Sequence, residues 1–260
     1  VTWRAGGGST DADASAGEIG GCHDFLPGRL RGGLDAGKSL VRQDLAFSGE
    51  SRMDGEYLLA ELDHRLSGSG LVLSVTGIHG RWDARIERGY LNAGAPDRSR
   101  GDTEVTVSAL RARVDWPAAW QIAATSVSTQ AAFTATRTRI DGYTESGGGF
   151  PARFERQRHT ARELRVGLSA ERRVSEATRV RGRFKGVHRF DSAWSGAAGQ
   201  VVGLFAFSLP GAEVNSNGLR AGLDVDHRFG PHSVLSASLT VGSSGEDPDL
   251  SGAVRYRLSF

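Results

Sequence analysis

Long apolar runs are missing from this sequence. A membrane-spanning helix needs about 18 or more consecutive apolar residues, and the longest runs, such as 201–207, fall far short. If the chain crosses a membrane, it does so with strands. Cysteine is nearly absent too: Cys22 is the single one, which rules out an internal disulfide. With only His23 and Asp24 beside it, Cys22 reads as a loop cysteine and not as a zinc ligand. Lysine is confined to Lys38 and Lys185, so the basic residues are almost all arginine. An excess of one charge is lacking as well, because the net charge is +2 over 260 residues, and a nucleic-acid partner is not expected. There is no initiator Met and no basic segment followed by an apolar one. The opening Val1-Thr2-Trp3-Arg4 therefore reads as a mature portion or a piece of something larger. Finally, G-x-S-x-G, H-E-x-x-H and paired C-x-x-C do not occur and the 7 His are scattered. No catalytic residue, metal or cofactor is predicted.

What the sequence does have is alternation. Val254, Tyr256, Leu258 and Phe260 alternate with Arg255, Arg257 and Ser259 up to the last residue. Leu235, Ala237, Leu239 and Val241 alternate with Ser236, Ser238 and Thr240; Leu219, Ala221, Leu223 and Val225 alternate with Arg220, Gly222, Asp224 and Asp226. Upstream, Arg179, Arg181, Arg183 and Lys185 are interleaved with Val180, Gly182, Phe184 and Gly186. Leu164, Val166, Leu168 and Ala170 stand opposite Arg165, Ser169, Glu171 and Arg173, and Leu58, Ala60 and Leu62 face away from Glu61, Asp63 and Arg65. This period of two marks strands with one apolar and one charged face.

Such strands fit two folds. A soluble sandwich turns the apolar faces inward, whereas a transmembrane barrel turns them to lipid and lines its lumen with the charges. Long strand-like segments, small residues on the apolar faces and an alternation of short turns with long polar loops favour an all-β, outer-membrane type antiparallel barrel forming one domain over 1–260. Twelve strands are predicted at 1–8, 28–36, 39–50, 55–67, 70–88, 103–116, 118–143, 161–174, 177–190, 217–229, 232–243 and 251–260. Tight turns fall at 36–38, 68–69, 117, 175–176 and 230–231, and long loops at 9–27, 89–102, 144–160, 191–216 and 244–250, with 200–209 assigned to the loop. In this reading Glu61, Asp63, Arg165, Glu171, Arg179, Arg181, Arg183, Lys185, Arg220, Asp224, Asp226, Arg255 and Arg257 line a wet interior. They would hold the barrel's shape and offer polar contacts to a threaded segment.

Two motifs point elsewhere. Gly32-Gly33-Leu34-Asp35-Ala36-Gly37-Lys38-Ser39 matches the phosphate-binding pattern G-x-x-x-x-G-K-S, but a strand before it, a helix after it and an acidic Mg²⁺ partner are all unconvincing. The stretch is read as a hairpin turn. Arg100-Gly101-Asp102, the triad of integrin ligands, is placed in an external loop and attributed to composition.

The last ten residues, with Tyr256, Leu258 and the terminal Phe260, resemble the assembly signal of outer-membrane barrels. The order of features over the second half is more specific. Ile140-Asp141-Gly142-Tyr143-Thr144-Glu145 ends a strand, Leu164-Arg165-Val166-Gly167-Leu168 begins the next, and one ending Val187-His188-Arg189-Phe190 follows. Then come a long loop, Gly218-Leu219-Arg220-Ala221-Gly222-Leu223 and a final hairpin. This succession resembles the autotransporter β-domain of type V secretion. The resemblance implies a twelve-stranded barrel in the bacterial outer membrane, with its C-terminus in the periplasm and its long loops outside. It also implies that the barrel exports and anchors its own passenger through a linker helix in the lumen. The lipid bilayer and the barrel assembly machinery are the other implied partners. A barrel enzyme of phospholipase or protease type and a simple porin are the competing readings.

Overall fold

The computed structural model describes residues 2–6, 11–191, 195–211, 213, 215–243 and 249–258, and side chains from residue 13 except those of Asp249 and Leu258. Its strands are β1 (Thr2–Gly6), β2 (Asp11–Leu26), β3 (Leu30–Leu45), β4 (Gly49–Arg65), β5 (Val72–Asn92), β6 (Ala95–Ile122), β7 (Thr125–Ile140), β8 (Tyr143–Thr144), β9 (Ala152–Phe154), β10 (Gln157–Arg173), β11 (Thr178–Arg189), β12 (Ala197–Val201), β13 (Ala206–Leu209), β14 (Asn217–Arg228), β15 (Ser233–Ser243) and β16 (Asp249–Leu258). Twelve of them form one sheet in the order β1-β2-β3-β4-β5-β6-β7-β10-β11-β14-β15-β16, and β13-β12-β9-β8 form a second, small sheet. Every ladder of the large sheet is antiparallel and joins strands that follow one another along it, as in β4 with β5 and β14 with β15. Among the described residues no ladder joins β1 to β16.

The two faces of the large sheet are inverted relative to a soluble protein. Only four apolar side chains among the described residues are buried, Ala84, Ala132, Ala152 and Val187, so there is no hydrophobic core between layers. Leu58 is 65% and Val254 76% exposed, while Ser74 on the opposite face of the sheet is 9% exposed. Registers carry this through strand after strand. Leu58 lies opposite Ala36, Leu168 opposite Phe184, and Leu223 opposite Gly182 and Leu239. One continuous outer surface is therefore aliphatic, which a soluble sandwich could not tolerate.

The strand count agrees with the prediction, but several boundaries do not. Residues 11–26 form β2 instead of a loop, and the predicted strands 28–36 and 39–50 are one strand, β3. The turn placed at 36–38 lies at 27–29. Gly37 reads as a turn residue but serves a close approach: a Cβ there would sit 2.5 Å from the Tyr57 ring carbon Cζ on the neighbouring strand. The phosphate-loop pattern is accordingly extended strand, and Cys22 is a strand residue of β2. The loop predicted at 89–102, with its Arg100-Gly101-Asp102, is also strand. β5 and β6 continue to a two-residue turn at Ala93-Gly94, where φ is 49° and 84°, the left-handed pair that a tight hairpin needs. The turn expected at Pro117 is an irregularity inside β6 between Trp116 and Trp120, and the chain reverses at 123–124, within the predicted strand 118–143. Residues 144–160 and 191–216 contain β8, β9, the start of β10, β12 and β13.

Candidate functional site

The inner, less exposed face is where the charges converge. By register it carries Glu61 and Asp63 of β4, Arg165 and Glu171 of β10, and Arg179, Arg181, Arg183 and Lys185 of β11. It also carries Arg220, Asp224 and Asp226 of β14, and Arg255 and Arg257 of β16. A cavity of about 740 Å³ brings Glu61, Asp63, Glu171, Arg181, Arg183 and Lys185 together. Since β4 and β11 are separated by four strands of the sheet, the sheet curls enough for distant strands to share one interior space.

Within this space the polar groups are tied strand to strand. Thr76 donates a hydrogen bond to Glu61 (2.9 Å) and Ser74 donates to Asp63. Arg181 Nε donates to Glu171 (2.9 Å), and Arg179 lies 3.4 Å from the same carboxylate. Arg183 donates to Asp224 at 2.7 Å. Arg255 and Arg257 stand opposite Ser236 and Val234. The sequence reading missed Arg111, Arg113 and Asp115 on β6, although their alternation with Leu110, Ala112 and Val114 was a sufficient signal. Arg113 donates to Asp115 at 2.6 Å.

Tyr256 lies on the outer face, 61% exposed. It shares its end of the sheet with the outward rings of Trp116 and Trp120, 6.0 Å apart, and with exposed Phe229. Aromatic rings at one end of an apolar surface form the girdle of a membrane interface. Leu258 closes β16 opposite Ser233, and Phe260 lies outside the described residues.

At the opposite end the outer face changes from aliphatic to ionic. Arg85 pairs with Asp102 (3.0 Å), and Arg81 with Glu104 and Arg100 with Glu87 make further cross-strand pairs. This part of β5 and β6 stands clear of the apolar band and carries a cap built from the two longest connections. Arg100 and Ser146 exchange backbone hydrogen bonds of 2.9 and 2.8 Å. Arg88 reaches Glu145 through both Nε (3.0 Å) and Nη2 (2.7 Å), and the Glu145 side chain is fully buried. The Ala152 N–H donates to the same carboxylate at 2.9 Å. Tyr143 stacks on Phe154 at 4.9 Å between ring centroids, and burial, reinforced by the Glu145 charge, pushes its phenol up to about 12.

Asp97, near the tip of the β5–β6 hairpin, accepts hydrogen bonds from the Gly149 N–H (2.8 Å), Asn92 Nδ2 (3.0 Å) and the Arg98 N–H (2.8 Å). The Gly149 bond first, then the Asn92 and Arg98 bonds, hold its carboxyl below the usual range. A lowered pKa means that the cap contact is complete at neutral pH and fades only as pH falls below the ordinary aspartate value of about 3.9. The Gly149 amide proton should therefore titrate with a midpoint below that value, and in Asp97→Asn it should not titrate. A midpoint at or above the ordinary value would remove Asp97 as the anchor.

Known proteins similar to this chain share this architecture. The family model described as Autotransporter beta-domain matches residues 2–240. The translocator domain of autotransporter NalP from Neisseria meningitidis superposes with a TM-score of 0.72 at 16% identity, covering 100% of this chain and 84% of that one. The beta domain of the Bordetella autotransporter BrkA gives 0.58 at 17% identity, over 96% and 92% of the two chains. The transport unit of the autotransporter AIDA-I from Escherichia coli gives 0.55 at 10% identity, over 96% and 84%. No curated protein sequence matches the chain. With its aliphatic outer face, polar interior and twelve sequential strands, the chain belongs to the autotransporter β-domain family and is an outer-membrane β-barrel translocator that exports its own passenger.

Proposed function

We propose that the barrel is a single domain over 1–260, oriented with the connections 141–156 and 190–216 outside the cell and with 27–29, 66–71, 123–124, 174–177, 229–232 and the C-terminus on the periplasmic side. The observation that carries this orientation is that both long connections, 141–156 and 190–216, lie on the side that also holds the short turns 46–48 and 93–94, whereas the other side has only connections of six residues or fewer, which matches the short periplasmic turns and longer external loops of bacterial barrels. The aromatic girdle of Trp116, Trp120, Phe229 and Tyr256 then marks the periplasmic interface, and the ionic band of β5 and β6 rises above the outer one. Tyr256 and Leu258 at the end of the last described strand, with Phe260 two positions further on in the sequence, are read as the signal engaged by the assembly machinery.

In this reading the charged inner residues, from Glu61 and Asp63 to Arg255 and Arg257, line the lumen and hold the linker of the passenger. Any catalysis belongs to the passenger. Intact cells carrying the chain behind a signal peptide and an epitope-tagged passenger test it. Protease added outside should remove the tag and cut within 190–216, while a second tag after Phe260 should be cut only once the outer membrane is permeabilised. A passenger tag that stays protected in intact cells would point to the enzyme or porin reading, and a C-terminal tag cut first would reverse the orientation.

A further inference from the structure

The interior charges are not spread evenly around the ring. On β2, β3 and β4 the inner positions include the carboxylates Glu18, Asp24, Asp35, Glu61 and Asp63, set against Arg31 and Arg65. Tyr57 donates a hydrogen bond to Glu18 (2.8 Å), and Thr76 and Ser74 donate to Glu61 and Asp63; these are neutral donors that leave the negative charge in place.

The opposite arc is basic. Arg111 and Arg113 on β6, Arg165 on β10, Arg183 and Lys185 on β11 and Arg220 on β14 face inward. Most carboxylates on this side are already taken: Asp115 by Arg113, Glu163 by Arg165 and Arg189, Glu171 by Arg179 and Arg181, and Asp224 by Arg183, while Asp226 stands opposite Arg179 in register. Lys185 lies within electrostatic reach of Arg183, Arg113, Arg111 and Arg165, and among the described residues Arg111, Lys185 and Arg220 form no ion pair. The inner face of β5, between the two arcs, is neutral at this level with Ser74 and Thr76, and that of β7, inside the basic arc, adds only Ser126, Ser128 and Gln130 there. Glu61 and Asp63 nevertheless share one cavity with Arg183 and Lys185.

We infer that the lumen is an electrostatic socket of fixed polarity, which takes a helical segment with an acidic stripe turned to β6, β10 and β11 and a basic stripe turned to β2, β3 and β4. The inference rests on the linker occupying the lumen and adds the chemistry by which it is recognised. A helix about 10–12 Å across satisfies its own backbone, so its side-chain charges decide how it sits. Turning it by half a revolution brings like charges together in a confined space with low-dielectric walls, where fields are focused. One rotational setting is therefore preferred over the others. Spare guanidinium and ammonium groups that remain unpaired in the empty barrel gain their counter-charges only when the segment is present.

The test uses the full chain refolded into planar bilayers, with single-channel current as the readout and two 20-residue helical peptides as probes. Both peptides have the same composition and zero net charge; one segregates Glu and Lys onto opposite faces and the other mixes them around the helix. The segregated peptide should block the current with a dwell time at least ten-fold longer, an advantage that shrinks as salt is raised. Glu61→Lys with Asp63→Lys, and separately Arg165→Glu with Lys185→Glu, should each abolish the advantage; folding of both is checked by the mobility shift on heating. Equal dwell times for the two peptides in the parent chain would overturn the polarised socket and leave the translocator reading standing. No block by either peptide would overturn the lumen occupancy on which the inference depends.

Discussion

Leu223→Arg should prevent most of the purified chain from inserting into lipid vesicles, while Ser238→Arg on the adjoining strand should insert as the parent does. Leu223 is half-exposed on the outer face, between Gly182 and Leu239 in register, in the middle of the band that meets hydrocarbon. An arginine at that depth costs about 2–4 kcal/mol, which is roughly 30- to 700-fold in the folded fraction. Ser238 lies opposite Asp224 on the inner face, so an arginine there stays in the polar interior beside the carboxylate that Arg183 already holds. The comparison is made by heat-dependent gel mobility after refolding across a urea series. Equal insertion of the two variants would mean that the aliphatic face is not the lipid face.

Arg88→Met should release the cap without unfolding the barrel. The substitution keeps much of the aliphatic stem but leaves the fully buried Glu145 carboxylate without its cation, with only the Ala152 N–H donating to it. Removing one partner of a buried ion pair costs about 3–5 kcal/mol, enough to loosen an excursion whose remaining ties to the barrel are hydrogen bonds such as those of Arg100 with Ser146 and of Asp97 with Gly149. Hydrogen exchange of residues 143–154 should therefore speed up by two orders of magnitude or more. Exchange in β14 and β15, and the mobility shift of the barrel, should remain unchanged. Loss of the whole barrel in this variant would show that the cap is part of its folding unit; unchanged exchange at 143–154 would show that the pair does not hold it.

The inverted alternation was readable because it needs only neighbouring residues. Leu219 to Val225 and Arg179 to Lys185 declare one charged and one apolar face whatever the rest of the chain does. The errors came where a local signal had a distant cause. Gly37 and its neighbours suggested a turn, yet the glycine is there because Tyr57 of the next strand lies over it. β2, with Gly17, Gly20 and Gly21, looked like a loop because a strand facing lipid and a polar interior need not be rich in large apolar residues. In the upper parts of β5 and β6 the alternation inverts, with Arg85, Glu87, Arg100 and Asp102 outside and Ala84, Ile86 and Ser99 inside, and this change of polarity hid their extension beyond the apolar band. The Arg88–Glu145 pair, 57 positions apart, leaves no trace in local pattern at all. Each strand shows its interior charges separately, and their division into an acidic and a basic arc emerges only when the strands are set around a ring.

Each rung of the large sheet joins a strand to the next one along the chain, apart from the two excursions that build the cap. Such a chain has low contact order over most of its length, and closing a short loop costs little entropy. Hairpins can therefore zip up one after another as the polypeptide becomes available, each new strand using its predecessor as a template. The exception is the seam, where the first strand must find the last across the whole sequence. That single long-range event concentrates the entropic cost of the fold at its end, and a sheet waiting for it has two open edges. A catalyst of assembly would gain most by holding those two edges together and would have little to do elsewhere.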